Sequence, residues 1–194
     1  AGARAIAAHY ERIGIKAEVK KGEYLGLYRT RFIREYDPLI SIIIPNKDHI
    51  DDLKRCMDAI DEKSTYRNYE YIIVENNSTD EKTFAWYKEL EQTKKNVRVV
   101  YWKGEFNYSA INNFGEKEAK GEYLLLLNND TEMINPDCLE ELLGYCMREN
   151  TGAVGARLYY GDNTIQHAGV VIGFGGIAGH CFVQQKRENT GYCH

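Results

Sequence analysis

The chain has 194 residues, 43% of them hydrophobic, and a formal net charge of −4. That length suits one domain with an appendage, and the apolar content is enough for a true core. A mildly acidic chain without a dominant basic face excludes nucleic acid as the expected partner, and no apolar run is long enough to span a membrane.

Residues 1–13 are Ala-rich and helix-prone, with Gly14 as the stop. Residues 15–19 and 25–36 flank Lys20-Lys21-Gly22-Glu23, a pattern that predicts a hairpin. Asp37-Pro38 breaks that pattern. A helix-plus-hairpin appendage over 1–37 and a main domain over 38–194 are therefore expected. The main domain opens on Ile40 and Ile42-Ile43-Ile44, a run suited to a strand covered on both faces. Ile50, Leu53, Met57 and Ile60 follow at helical spacing. Residues 69–74 form the next strand, and Ser78-Thr79-Asp80-Glu81 caps a helix whose apolar face holds Phe84, Tyr87 and Leu90. Residues 97–102 are a third strand. Tyr108, Ile111, Phe114 and Ala119 predict a helix ending at Gly121. Residues 123–127 are the most apolar strand and are expected at the centre of the sheet. Pro136 starts a helix with Leu139, Leu142, Leu143, Cys146 and Met147 on its buried stripe. Residues 153–158 are a candidate fifth strand, and 161–194 are Gly-rich and less regular.

Strands alternating with helices predict an α/β fold, a mostly parallel sheet flanked by helices. In such a sheet the carboxyl ends of the strands share one edge, where ligands bind at a switch in strand order. Polar residues follow four of the strands, and this gathers Asp48, Glu75, Asn76 and Asp130 near one crevice.

Cys56, Cys138, Cys146, Cys181 and Cys193 make an odd count without paired spacing. They do not read as a disulfide framework; Cys56, Cys138 and Cys146 fall in helical patterns as small hydrophobes, and a reducing, cytoplasmic setting is expected. No signal peptide is visible, and the chain starts at Ala1, not Met, so it is expected to be cut from something longer.

Four constellations could carry chemistry. In Asn128-Asn129-Asp130 a carboxylate at a strand end can hold a hard divalent cation that neutralises a diphosphate, or the same residues can satisfy a turn. In Glu75-Asn76-Asn77-Ser78 a carboxylate or amide can accept a hydrogen bond from a nucleobase, or cap a helix. Gly173-Phe174-Gly175-Gly176-Ile177-Ala178 matches a relaxed dinucleotide fingerprint, but no following helix and strand fit, so it reads as a loop. His180-Cys181 with Cys193-His194 lacks the usual zinc spacing. Neither a P-loop nor a nucleophile elbow occurs.

Read together, Ser41-Ile42-Ile43-Ile44-Pro45-Asn46, Ile73-Val74-Glu75-Asn76-Asn77-Ser78-Thr79-Asp80, Asn113-Phe114-Gly115 with Ala119-Lys120-Gly121-Glu122-Tyr123, and Leu127-Asn128-Asn129-Asp130 resemble family 2 glycosyltransferases of the GT-A, Rossmann-like fold. The order and spacing cover about residues 39–160. Asp162-Asn163-Thr164-Ile165-Gln166-His167-Ala168-Gly169 looks like members that build bacterial surface polysaccharides, rhamnosyltransferase-like proteins among them.

The resemblance implies a sugar transferred from a nucleotide-diphosphate-sugar donor, a pyrimidine nucleotide by expectation, to a glycan or lipid-linked acceptor with inversion. It implies that Glu75 contacts the base, and that Pro45, Asn46 and Asp48 line the base and ribose pocket. Asn76, Asn113, Lys120 and Asn129 complete the nucleotide-binding set. Asp130 would end the metal motif that holds Mg²⁺ or Mn²⁺, with Asn128 in place of its first acid. Localisation would be cytoplasmic, at the inner face of the cell membrane, with the intact protein associating peripherally. The catalytic base of inverting members lies well downstream, and Asp162 and Glu188 are the only acids after Tyr160. The chain therefore looks like the donor-binding half, inactive by itself, with the base expected beyond His194. A nucleotide-sugar-binding module without catalysis is the alternative.

Overall fold

The computed structural model describes residues 1–189. The chain divides into two compact units, residues 35–140 and a second made of residues 1–34 with the segment from Glu141 onward.

The unit of residues 35–140 is an α/β sandwich around a four-stranded sheet. Its strands are β3 (Ile40–Asn46), β4 (Tyr69–Asn76), β5 (Val97–Trp102) and β6 (Tyr123–Leu126), in the order β5-β4-β3-β6. All three pairings are parallel. The helices α2 (Ile50–Lys63), α3 (Glu81–Thr93) and α4 (Tyr108–Glu116) are the crossovers. This is the α/β architecture the alternating pattern predicts.

The two central strands explain why their sequences are nearly unbroken runs of apolar residues. Ile42, Ile43, Ile44, Ile72, Ile73 and Val74 are all fully buried, because helices cover both faces. On one face Leu53, Met57 and Ile60 of α2 and Tyr87 and Leu90 of α3 are buried, and the Tyr71 hydroxyl donates to the Met57 carbonyl. On the other, α4 seats Ile111 against Ile43, Ile72 and Val74. Gly115 is what lets α4 come so close. A Cβ there would lie 2.7 Å from the Ile43 side chain and 2.8 Å from that of Val74.

Two expectations change in this unit. Residues 123–126 are not central but the outer strand among those described, and Leu124 and Leu126 are 44% and 49% exposed. Apolar content alone sets neither burial nor position in the sheet, and here the nearly fully buried strands are β3 and β4. The helix expected to run to Gly121 ends at Glu116. Gly121 instead touches β3, where a Cβ would lie 2.5 Å from the Ser41 amide nitrogen, and its own N–H donates to Ser41 Oγ at 2.8 Å.

In the other unit, α1 (Gly2–Arg12) precedes the antiparallel pair β1 (Ala17–Lys21) and β2 (Tyr28–Phe32). Lys20 and Lys21 lie in the strand, so the turn falls later than expected, between Lys21 and Tyr28. Gly26 sits in it at φ +89°, a conformation that favours glycine. Helix α5 (Cys138–Cys146) carries the boundary between the units. Beyond it, of the candidate fifth strand over 153–158 only Leu158 lies in a strand, β7 (Leu158–Tyr159), which pairs antiparallel with β8 (Ile165–His167). Strands β9 (Val170–Ile172) and β10 (Ala178–His180) form a hairpin. Gly173, Gly175 and Gly176, at positive φ, make its turn, and the Gly173 N–H donates to the Ile177 carbonyl at 2.8 Å. The glycine cluster is therefore a hairpin turn and not a dinucleotide loop. Cys193 and His194 lie outside the described residues.

Candidate functional site

The parallel register puts Asn46 opposite Glu75 at the carboxyl ends of the two central strands. Both are buried, at 2% exposure, and both side chains sit on the α2–α3 face. A buried carboxylate needs hydrogen bonds to offset its lost hydration. Glu75 has three: from the Ser78 N–H at 2.5 Å, the Ser78 hydroxyl at 2.6 Å and the Tyr87 hydroxyl at 3.0 Å. Tyr87 comes from α3, and its hydroxyl oxygen accepts from Asn46 Nδ2 at 2.7 Å. Asn46 Oδ1 in turn accepts from Asn129 Nδ2 at 2.6 Å. A continuous relay thus runs Asn129–Asn46–Tyr87–Glu75–Ser78 across the ends of β6, β3 and β4. Burial raises the Tyr87 hydroxyl pKa above its ordinary value, with the Glu75 carboxylate adding to the effect, so Tyr87 stays a neutral donor.

Tyr87 was legible from the sequence only as a core aromatic. Its helical spacing marks it as buried, and nothing local marks the hydroxyl as a partner of residues on two distant strands.

Asp48 has a different job. It sits at φ +61°, a strained backbone for a residue other than glycine. Its carboxylate accepts from the N–H groups of Thr79 at 2.8 Å and Asp80 at 2.9 Å, and its own N–H donates to Ser78 Oγ at 2.8 Å. It therefore clamps the loop after β3 to the loop after β4. The Asp80 and Thr79 bonds hold its carboxyl below the usual range.

Pro45 is half-buried beside Val74. Asn76 is buried at the end of β4, opposite Trp102, and the neighbouring Asn77 donates to the Gly104 carbonyl at 2.8 Å. The loop after β6 leaves Asn128 and Asp130 exposed. It is held to α2, where the Cys56 thiol donates to the Asn128 carbonyl and Arg55 pairs with Glu132 at 3.3 Å. Burial pushes the Cys56 thiol up to about 12, and Asp130 adds to that rise.

Asn46, Asp48, Glu75, Asn76, Asn128, Asn129 and Asp130 are thus gathered along the carboxyl edge. Lys120 is not. Its backbone N–H donates to Glu70 Oε1 at 2.8 Å, near the start of β4. That is the opposite edge, about 16 Å away along the strand at about 3.3 Å per residue. Asn113 is exposed on α4, outside the relay; its neighbour Asn112 is the buried one.

A divalent cation is testable on the donor set. Among the described residues no three His, Cys, Asp or Glu side chains converge as a ready-made site. Asp130 supplies one exposed carboxylate and Asn128 an amide oxygen, both hard ligands. Such a pair fits a cation that brings most of its oxygens with it, as a phosphate-bound ion does.

The geometry agrees with what the chain is similar to. Residues 41–173 match the family model described as glycosyl transferase family 2. The chain is 42% identical over 193 residues to an uncharacterized protein, y4gI, of Sinorhizobium fredii, covering 99% of this chain and 21% of that protein. It is 41% identical over 182 residues to the O-antigen biosynthesis protein RfbC of Myxococcus xanthus, covering 94% of this chain and 14% of that one. It therefore spans about a fifth or less of these curated relatives. Among solved structures, a mannosyltransferase of Pyrobaculum calidifontis in complex with GDP-Man and Mn²⁺ matches with TM-score 0.54 and 19% identity, over 61% of this chain and 35% of that one. That likeness is one of fold. With the family model matching most of the chain, and its segment taking in β3, β4, Asn46, Glu75 and Asp130, the chain belongs to glycosyl transferase family 2.

Proposed function

We propose that residues 39–160 bind a nucleotide-diphosphate-sugar donor for transfer, with inversion, to a glycan or lipid-linked acceptor in surface-polysaccharide synthesis. The observation that carries the reading is the relay joining Asn129, Asn46, Tyr87 and Glu75 at the carboxyl edge. A carboxylate offers about four lone-pair positions. Three are taken at Glu75, which leaves one acceptor for a nucleobase N–H. Asn46 and Pro45 line the approach, and Asp130 with Asn128 holds the diphosphate through Mg²⁺ or Mn²⁺. The Mn²⁺ and GDP-Man of the Pyrobaculum enzyme and the name of the RfbC relative support donor and product class. Lys120 takes no part, given its place at the other edge.

In this reading the chain binds donor but does not transfer. Asp162 accepts from the Thr164 hydroxyl at 2.7 Å and the Thr164 N–H at 2.9 Å. These bonds, the hydroxyl's first, hold its carboxyl below the usual range, so it makes a turn-capping group and a poor base.

Calorimetry with UDP, TDP and GDP, with and without Mn²⁺, tests the proposal. One nucleoside diphosphate should bind, and Mn²⁺ should bind far more tightly in its presence. Asp130→Ala should weaken only the Mn²⁺-dependent part. Equal Mn²⁺ binding with and without nucleotide, or in the Asp130 variant, refutes the metal assignment. Absence of binding by all three nucleotides refutes the donor site.

A further inference from the structure

The twelve residues Ala168-Gly169-Val170-Val171-Ile172-Gly173-Phe174-Gly175-Gly176-Ile177-Ala178-Gly179 carry no polar side chain. They make the β9–β10 hairpin, and they are not packed away. Val170, Val171 and Phe174 are about half exposed or more, and Ile172 and Ile177 are 84% and 88% exposed. Contiguous exposed apolar surface of this kind marks an interaction site. We propose that this hairpin inserts into the boundary region of a bilayer containing anionic phospholipid, with the cleft at its base taking a lipid phosphate. The inference goes beyond the donor reading and stands independently of it.

Two features favour lipid over a protein partner. Side chains alternate along a strand, so Val170 and Ile172 occupy one face of β9 and Val171 the other. A protein surface covers one face of a sheet and meets it with a polar rim. Here both faces and the turn are apolar and exposed, so a medium that surrounds the hairpin fits better than a surface laid against it. The second feature is depth. The three residues of β9 reach about 10 Å at about 3.3 Å each, which matches the 5–10 Å depth of interfacial elements. A two-stranded ladder leaves backbone groups unpaired at its edges, which hydrocarbon does not tolerate. The hairpin therefore stops at the boundary between acyl chains and headgroups.

The base of the hairpin complements a headgroup in charge. His180 pairs in register with Val170, and its Nδ1 lies 2.8 Å from that of His167. Polar side chains resume there. Beside them is a cleft of about 490 Å³, with Arg157, His167, Gly169 and Phe182 in its lining. Arg157 Nη2 donates to the carbonyls of Arg187 at 3.1 Å and Asn189 at 2.7 Å. Its Nη1 and Nε groups remain as donors in a fixed fork, a match for a phosphodiester. Among the described residues no carboxylate lines the cleft, so nothing competes for these donors. Lys186, bridged to Thr164, and Arg187 add positive charge on the side away from the turn. Asp162 and Glu188 are the acids of this segment, and the Asp162 carboxylate is taken up by the Thr164 hydroxyl and N–H.

The test is co-sedimentation of the full 194-residue chain with vesicles of phosphatidylcholine, with and without phosphatidylglycerol. The chain should bind the phosphatidylglycerol vesicles more tightly, and added salt should weaken that binding. Changing Phe174→Ser and Ile177→Ser together should weaken binding to both vesicle types by about tenfold or more, since two exposed apolar side chains lose their burial. If that variant loses the folded amide spectrum of residues 155–189, Ile172→Thr, which keeps a β-branched residue in the strand, should weaken binding in the same direction. Arg157→Gln should weaken binding to phosphatidylglycerol vesicles by about fivefold, the effect of one cation near an anionic surface, and leave phosphatidylcholine binding unchanged. The proposal is overturned if phosphatidylglycerol vesicles are not bound, if they are bound no better than phosphatidylcholine, or if the hairpin variants bind as the parent chain does. It is overturned as well if Arg157→Gln changes nothing, or if the chain self-associates without vesicles and the hairpin variants abolish that association alone.

Discussion

Replacing Tyr87 with phenylalanine removes one oxygen and keeps the ring. The packing of that ring against Phe84, at 6.4 Å between centroids, and Trp86, at 5.8 Å, should survive. Two buried partners lose a bond. Asn46 Nδ2 loses its acceptor at a residue only 2% exposed, an unsatisfied donor that costs about 1–3 kcal/mol. Glu75 loses one of its three donors and keeps the two from Ser78, which adds about 1 kcal/mol. The sum is about 2–4 kcal/mol. With a urea slope of about 2 kcal/mol per molar, the middle of the usual range, the unfolding midpoint should fall by about 1–2 M. Both tryptophans, Trp86 and Trp102, lie within residues 35–140, so their fluorescence follows this unit alone. Tyr36→Phe is the control, since the Tyr36 hydroxyl donates to Glu122 at the surface and its loss should cost no more than about 0.5 kcal/mol. If Tyr87→Phe and Tyr36→Phe shift the midpoint equally, the relay is not a buried network and the reasoning fails.

Two other perturbations follow from the same unit. Gly121→Ala should destabilise more than Gly115→Ala. Its Cβ would press on the β3 backbone, which cannot move aside, whereas at Gly115 it meets side chains and gains about 1 kcal/mol of helix propensity. Overpacking of this kind costs about 1–3 kcal/mol, and the same tryptophan-monitored urea titration ranks the pair; the opposite order would contradict the close approach. Asp48, whose folded carboxyl lies below its ordinary value, contributes stability that is complete above the unfolded pKa and is lost as pH falls through the folded one. Asp48→Asn should therefore flatten the acid limb of the stability profile, read as urea midpoints from pH 6 down to pH 2.5, and an unchanged acid limb would remove Asp48 from the clamp.

The parts of this chain that could be read in advance are those encoded locally. Ile42-Ile43-Ile44 and Ile72-Ile73-Val74 announce doubly covered strands because a buried parallel strand tolerates no alternation. Asp80 announces a helix start, and its side chain does accept from the Lys82 N–H at 2.9 Å. Asn46 and Glu75 fall together because parallel strands end on one edge. The rest depends on contacts that no local pattern carries. Leu124 and Leu126 are as apolar as the core isoleucines, yet strand order, which sets their exposure, is a property of pairing. Lys120 sits next to a glycine that looks like a helix end, but Gly121 is there because β3 passes within contact distance, and that fixes Lys120 at the far edge.

The same contrast explains the site. Glu75 and Asp48 are both acids at or just beyond the carboxyl ends of parallel strands, and sequence treats them alike. The structure separates them by what their oxygens already hold. Asp48 uses its carboxylate on the Thr79 and Asp80 amides and the Thr79 hydroxyl, and so ties two loops together. Glu75, only 2% exposed, is held by the Tyr87 hydroxyl of α3 and by Ser78, so its charge is spent on the buried ends of the strands. A carboxylate held by three donors is fixed in orientation, which in the proposed donor site reduces the freedom lost on binding. The Tyr87 hydroxyl thus acts on both sides of the crevice at once. It orients Glu75 by donating to it and orients the Asn46 amide by accepting from it, which in turn aims Asn46 Oδ1 at Asn129. Removing that one oxygen should loosen three strand ends together, which is why Tyr87, and not one of the acids, is the most informative residue to change.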